Sequence, residues 1–269
     1  MKRIIVGLGI PRVGTSHFCE LLTNIGNLMT YTEVFHPHGA FGLQNRTEDI
    51  EELSNYAGIE FSSIFDEHLI SWLHKHLGDF CDFALNRHYG LNKYLFFKVF
   101  PNQVDDDLIV GQLLQRQDIL VVIFYRRPID TYISDLTAIQ MGVHREVDTT
   151  EFKLSLSIDE FMWWWLDRNS WYLKINSWIR HFDIPHVVVR YENDILARSD
   201  LTLLSFVKKC KDIGVYLNFD SINNGGLEKQ NKQSIYKQKV KNWDVFLSQI
   251  RSTSNIQRLY NYFPDIGDK

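Results

Sequence analysis

Three groups of residues in this 269-residue sequence have the types and spacing to do chemistry on an anion. The first is Gly9-Ile10-Pro11-Arg12-Val13-Gly14-Thr15-Ser16, which has the spacing of the phosphate-binding loop G-x-x-x-x-G-K-[ST], with Thr15 where the lysine should stand. A short apolar run from Arg3 to Leu8 leads into it, and Phe18, Leu21 and Leu22 follow at helical spacing. Strand, glycine turn and helix in that order aim backbone N–H groups and the helix dipole at a negative charge, and Ser16 adds a hydroxyl. Such a cradle suits any phosphate. The missing lysine is what reaches the β- and γ-phosphates of a nucleoside triphosphate, and Arg12 is the one cation left in the loop, so a triphosphate is the wrong ligand.

The second group lies at the end of the strongest strand signal, Ile119 to Tyr125, where Arg126 and Arg127 precede Pro128, Asp130 and Ser134. A nucleotide hydrolase would normally end such a strand with an aspartate for magnesium. Two guanidiniums at a strand end, next to a helix N-terminus, suit a second anion instead, and Ser134 adds a hydroxyl from the following helix. Two anion sites at neighbouring strand ends fit a nucleotide with phosphates at both ends of its ribose. The third group is Glu33 with His36, near the end of a predicted strand from Met29 to Phe35, and Lys98, which interrupts an apolar strand from Tyr94 to Phe100. A buried lysine is costly without an anion partner; the alternative is a tip that snorkels to the sheet edge.

The elements that must position these groups alternate. Strands are expected at Arg3–Leu8, Met29–Phe35, Tyr94–Phe100, Ile119–Tyr125 and His186–Tyr191, and helices at Thr15–Thr23, Pro128–Met141, Asp159–Ile179 and Leu201–Ile213. Ile119–Tyr125 is apolar without alternation, as a parallel strand covered on both faces would be. The expected fold is α/β, a P-loop-type three-layer arrangement with a central parallel sheet flanked by helices. One domain over residues 1–269 is expected, with a helical insertion or lid at 41–93, helical near Glu48–Tyr56 and Phe65–Leu77, and a C-terminal segment at 225–243 whose part from Gly225 to Lys241 reads as a mobile or ligand-ordered loop. The tryptophans of Asp159–Ile179 suit a sugar or lipid surface, but such a stripe reads first as helix packing.

Composition bounds the rest. A formal net charge of −4 and a pI near 6.2 argue against a nucleic-acid partner. Cys19, Cys81 and Cys210 are too widely spaced for a disulfide framework or a zinc cluster, and the clustered histidines His36/His38 and His68/His74/His76 lack metal-site spacing, so no metal is expected. The N-terminal apolar run is too short for a signal peptide, and no segment approaches the ~20 apolar residues of a membrane span. A soluble protein of the reducing cytoplasm is the expectation, with oligomeric state left open.

Pro11-Arg12-Val13-Gly14-Thr15-Ser16, followed by Cys19-Glu20-Leu21-Leu22, resembles the 5'-phosphosulfate loop of the sulfotransferases that use 3'-phosphoadenosine 5'-phosphosulfate (PAPS). Arg126, Pro128, Asp130 and Ser134 meet every fixed position of that family's 3'-phosphate motif, R-x-P-x-D-x-x-x-S. Arg190-Tyr191-Glu192 is similar to its "YE" strand end, and Leu227–Trp243 to its cofactor-covering segment. The run Tyr31 to Pro37 and the Lys98 strand resemble the bacterial carbohydrate members that act on nodulation factors and trehalose glycolipids. The family's R-K-G triplet is absent, which leaves Gln230, Lys232 and Lys237 as candidates for its role.

The resemblance implies PAPS as donor and 3',5'-adenosine bisphosphate (PAP) as product, bound by residues 11–16, Arg126, Ser134 and Tyr191. It implies a hydroxyl acceptor, a saccharide or glycolipid before a small alcohol or phenol. Glu33 would be the general base with His36 as runner-up, and Arg12 and Lys98 would meet charge growing on the leaving phosphate and sulfuryl oxygens. A sulfuryl group carries less charge than a phosphoryl group, which lessens the need for magnesium. The competing readings are a P-loop kinase or nucleotide hydrolase, and a nucleotide-binding module without catalysis.

Overall fold

The computed structural model describes residues 3–44, 47–87, 94–142, 148–223, 235–253 and 255–263. Five strands pair in parallel: β1 (Ile4–Leu8), β2 (Leu28–Thr30), β3 (Tyr94–Val99), β4 (Ile119–Tyr125) and β5 (His186–Arg190). Their order across the sheet is β2-β3-β1-β4-β5. β1 lies between β3 and β4, with Leu8 in register with Val99 on one side and Ile123 on the other. The chain therefore builds to one side of β1 and then crosses to the other, and crevices for ligands form outside the strand ends where the order reverses.

Helices cover both faces, as the unbroken burial of β1, β3 and β4 requires. Successive residues of a strand point to opposite faces, and Phe124 and Tyr125 show it. Phe124 meets Phe18 of α1 (Thr15–Leu22) edge-on at 5.2 Å, while Tyr125 stacks at 4.7 Å on Tyr172, far along the chain. Between β2 and β3 come α2 (Thr47–Ala57), α3 (Glu67–Lys75) and α4 (Leu77–Arg87), the last packed on β3. A short α5 (Asp106–Leu108) runs into a π-helical turn, Ile109–Leu114. α6 (Pro128–Met141) follows β4, and α7 (Ile158–Phe182) carries Tyr172. After β5, α8 (Ser199–Asp212) brings Phe206 to 5.0 Å from Phe18. The described C-terminal part holds α9 (Tyr236–Lys239), α10 (Trp243–Ser252) and α11 (Gln257–Tyr260). A second apolar cluster, including Ile129, Tyr132, Phe161, Trp243, Phe246 and Ile250, joins α6, α7 and α10.

The structure has the α/β architecture expected, and α6 has the predicted bounds. Two differences matter for the site. The second strand stops at Thr30 rather than continuing to Phe35. Tyr31, Val34 and Phe35 are the buried positions, a turn spacing rather than an alternation, and Thr32 takes a left-handed φ of 36°. The Val34 N–H donates to the Tyr31 carbonyl at 3.0 Å and the His36 N–H to the Glu33 carbonyl at 3.1 Å. The expected helix over Phe65–Leu77 is two elements. Asp66 caps α3 by accepting from the His68 N–H at 2.8 Å, α3 ends at Lys75, and α4 begins anew at Leu77. Gly42 passes so close to the turn at 31–36 that a Cβ there would overlap the Tyr31 backbone.

Candidate anion and proton-transfer site

Leu8 delivers the chain into a loop in which Arg12 (φ 71°) and Gly14 (φ 90°) both adopt left-handed backbone. Thr15 opens α1, so the N–H groups of its first turn have no intrahelical carbonyl partner. Glycine at 14 has two causes, its dihedral and its neighbour: a Cβ there would collide with the ring of Tyr191. Behind the loop, Trp171 of α7 donates from its indole to the Gly9 carbonyl at 2.8 Å.

The loop and the end of β4 are joined directly. Arg126 donates from Nη1 to the Arg12 carbonyl at 2.7 Å, and its guanidinium lies 4.1 Å from the centre of the Tyr191 ring. Arg12 in turn donates from Nε to the Ser134 hydroxyl at 3.1 Å. Pro11, Gly14 and Ser16 remain partly accessible around this bridge, while Val13 and Thr15 are buried under it. Burial first, and then the charge of Arg126, hold Arg12 below the usual guanidinium pKa, with Asp135 acting the other way. Arg126 Nε is itself buried and meets no hydrogen-bond partner among the described residues. Two half-buried cations side by side, one with an unmet donor, form a site whose charge an anion would complete.

The expected guanidinium pair is not formed. Arg127 is exposed, and its contribution here is a backbone N–H that donates to Glu192 Oε1 at 3.0 Å. It stands at the N-cap of α6, with extended ψ, while Arg126 folds back under the loop.

On the other side of β1, Lys98 is 2% exposed, so its tip does not snorkel out. Its ammonium pairs with Glu33 Oε1 at 2.9 Å and donates to the hydroxyls of Thr15 at 3.1 Å and Ser16 at 3.5 Å. The lysine missing from the loop is thus supplied in space by β3. Glu33 Oε2 accepts from Gln103 Nε2 at 3.4 Å. Burial pushes the Glu33 carboxyl up, but the Lys98 charge and hydrogen bond, with His36 and Gln103, outweigh it and hold the pKa below its usual value. His36 is lowered chiefly by burial, against the pull of Glu33, and its Nδ1 accepts from the His38 N–H at 3.1 Å. That bond occupies the lone pair of the neutral ring and leaves Nε2 carrying hydrogen, while the Glu33 carboxylate is held in its ionised form.

Lys237 is not brought to this site: it pairs with Asp244 at 2.8 Å on an exposed surface. Gln230 and Lys232 lie outside the described residues. Asp130 accepts from Tyr236 at 3.2 Å, which ties α9 to the start of α6. The α7 tryptophans mostly pack inward. Trp164 donates to Asp135 at 3.0 Å, Trp165 lies under Arg258 and beside Phe263, and Trp163, 75% exposed, is the exception. The aromatic edge beside Glu33 comes from elsewhere. His36 meets Phe41 at 4.8 Å, and Phe41 meets Phe65 at 6.1 Å, with Phe65 62% exposed. Among the described residues no group of three histidine, cysteine or acidic side chains is placed to hold a metal, and no helix is long and apolar enough to cross a membrane. The sequence reading missed Gln103 and the Trp171 and Trp164 bonds, because a lone glutamine after a strand and a tryptophan in an amphipathic helix carry no local signal of their partners.

No protein-family model matches the chain, and no curated protein matches it. Among solved structures it is similar to the sulfotransferase STF1 from Mycobacterium tuberculosis H37Rv. The TM-score is 0.42 and the identity 15%, over 80% of this chain and 68% of that one. A likeness of that size adds nothing to what the strand order already shows.

Proposed function

We propose that this protein is a sulfotransferase that moves a sulfuryl group from PAPS to a hydroxyl acceptor, a saccharide or glycolipid. The observation that carries the reading is the pair of unlike sites on either side of one glycine loop. Arg12, Arg126 and Ser134 form a cationic site at the β4 end in which the buried Arg126 Nε has no partner among the described residues, and a carboxylate paired with an ammonium stands at the β3 end. This fits a ligand with an anion at each end of a ribose: the 3'-phosphate would lie by Arg126 and Ser134, and the 5' end on the first turn of α1.

Glu33 is an ionised carboxylate near neutral pH, and in this reading it takes the proton of the acceptor hydroxyl as the oxygen attacks sulfur. The new S–O bond forms as the bond to the 5'-phosphate breaks, and the electron pair stays on that phosphate. Lys98 reaches both Glu33 and the Thr15 and Ser16 hydroxyls, so it can follow the negative charge from the base side to the leaving side without leaving its cavity. The PAPS donor supplies the activated sulfuryl group. The His36–Phe41–Phe65 edge supports an acceptor with flat, partly apolar faces, as sugar rings have.

The test is incubation with radiolabelled PAPS against a panel of glycans, glycolipids, alcohols and phenols, with binding of PAP and of Mg-ATP measured alongside. Label on a saccharide is the expected result. PAP binding without transfer to any acceptor would indicate a nucleotide-binding module, and preferential Mg-ATP binding would indicate a kinase.

A further inference from the structure

Gln103 belongs to a closed turn at the end of β3. Its backbone N–H donates to the Phe100 carbonyl at 3.2 Å, and Asn102 takes the left-handed φ of 63° that closes the turn. The Gln103 side chain is buried, 7% exposed, and its Oε1 accepts from the Phe100 N–H at 2.8 Å. That bond settles the orientation of the amide. A flip would set its NH2 against the Phe100 N–H and its carbonyl oxygen against the Glu33 carboxylate. The same turn places the Phe100 ring 5.0 Å from the Lys98 ammonium. One short segment thus addresses both members of the Glu33–Lys98 pair.

We propose that Gln103 is a positioning residue for Glu33, which fixes the carboxylate rotamer and makes Oε2 the oxygen that takes the proton. The proposal rests on the reading of Glu33 as the base. Oε1 is held by a charge-assisted bond at 2.9 Å, and a proton placed there would face an ammonium. Oε2 meets a longer, neutral bond at 3.4 Å, so it is oriented but keeps a lone pair. A lysine at 103 would suppress the basicity of Oε2, and a carboxylate would repel it; an amide does neither. The groups facing Glu33 are Lys98 from β3, His36 from its own turn and Gln103 from the turn after β3. Thr15 and Ser16 of α1 face Lys98.

Two measurements test this. The first needs no acceptor: 13C NMR titration of glutamate-labelled protein, with the Glu33 carboxyl assigned by its loss in Glu33→Gln. Gln103→Met removes the hydrogen bond at similar volume, and Gln103→Glu keeps the shape and the acceptor for Phe100. The Glu33 midpoint should rise in Gln103→Met, and rise further, by about 1 pH unit or more, in Gln103→Glu, where a like charge is added. The second is the pH dependence of kcat with the acceptor found in the panel, whose acid limb should move with the NMR midpoint while PAP affinity stays unchanged. A Glu33 midpoint that stays put in both variants, or a rate loss equal at every pH, overturns the proposal. Turnover retained in Glu33→Gln would instead overturn the reading of Glu33 as base, and the NMR result would still stand on its own.

Discussion

The two sides of the glycine loop solve the cost of burying charge in opposite ways. At the β3 end the charges compensate: Lys98, Glu33, Thr15, Ser16 and Gln103 satisfy one another, and the site is electrically complete. At the β4 end a donor is left over. Arg12 and Arg126 lie side by side with Asp135 opposing their repulsion, and Arg126 Nε is buried with no hydrogen-bond partner among the described residues. A buried pair with its own counter-ion has charge to rearrange, as proton transfer requires, whereas a buried guanidinium with an unmet donor has affinity to offer.

Substitutions on the two sides of the loop should have separate consequences. The largest effect should come from Glu33→Gln, which should lower turnover by about 10²- to 10⁴-fold, the span of a lost general base. PAP affinity, measured by calorimetry, should be retained. It should also lower the melting temperature, since Lys98 stays buried without its counter-ion. Next is Arg126→Ala, which should weaken PAP by about 10- to 100-fold, as loss of charged hydrogen bonds does, and weaken 5'-AMP far less. Equal weakening of the two nucleotides would place the 3'-phosphate elsewhere. Gly14→Ala should cost about 1–3 kcal/mol of unfolding free energy in a denaturant titration, because the left-handed backbone is strained for alanine and the new methyl meets Tyr191. The smallest effect sharpens the boundary of the site. Lys237→Ala, which removes an exposed pair with Asp244, should leave PAP affinity unchanged within about 2-fold.

What could be read from the sequence follows from how local each cause is. The loop at residues 9–16, the run Ile119–Tyr125 and the bounds of α6 depend on spacing within one element, and they were legible. Glu33 was singled out, but on an expected strand. Its real setting is a turn, because the burial of Tyr31, Val34 and Phe35 against the helices between β2 and β3 overrides β propensity. Lys98 stood out as a cation in an apolar strand, yet its partners come from residues 33, 15 and 16, brought together by the sheet order. By residue type Arg126 and Arg127 read as a pair, and only the motif spacing favoured Arg126. The helix cap separates them, one folded under the loop and one turned to solvent. Gln103 had no signal at all, since its role arises from a turn closure and a contact seventy positions away.

Gly42 sets a rule for redesign. Its backbone lies against that of Tyr31 with no room for a side chain, while Phe41 beside it and Phe65, which meets Phe41, reach solvent. A library that varies 41 and 65 together can therefore alter the surface next to Glu33 while the backbone of the turn at 31–36 keeps the room that Gly42 leaves it. Variation at 42 would be lost to misfolding before any selection for a new acceptor began.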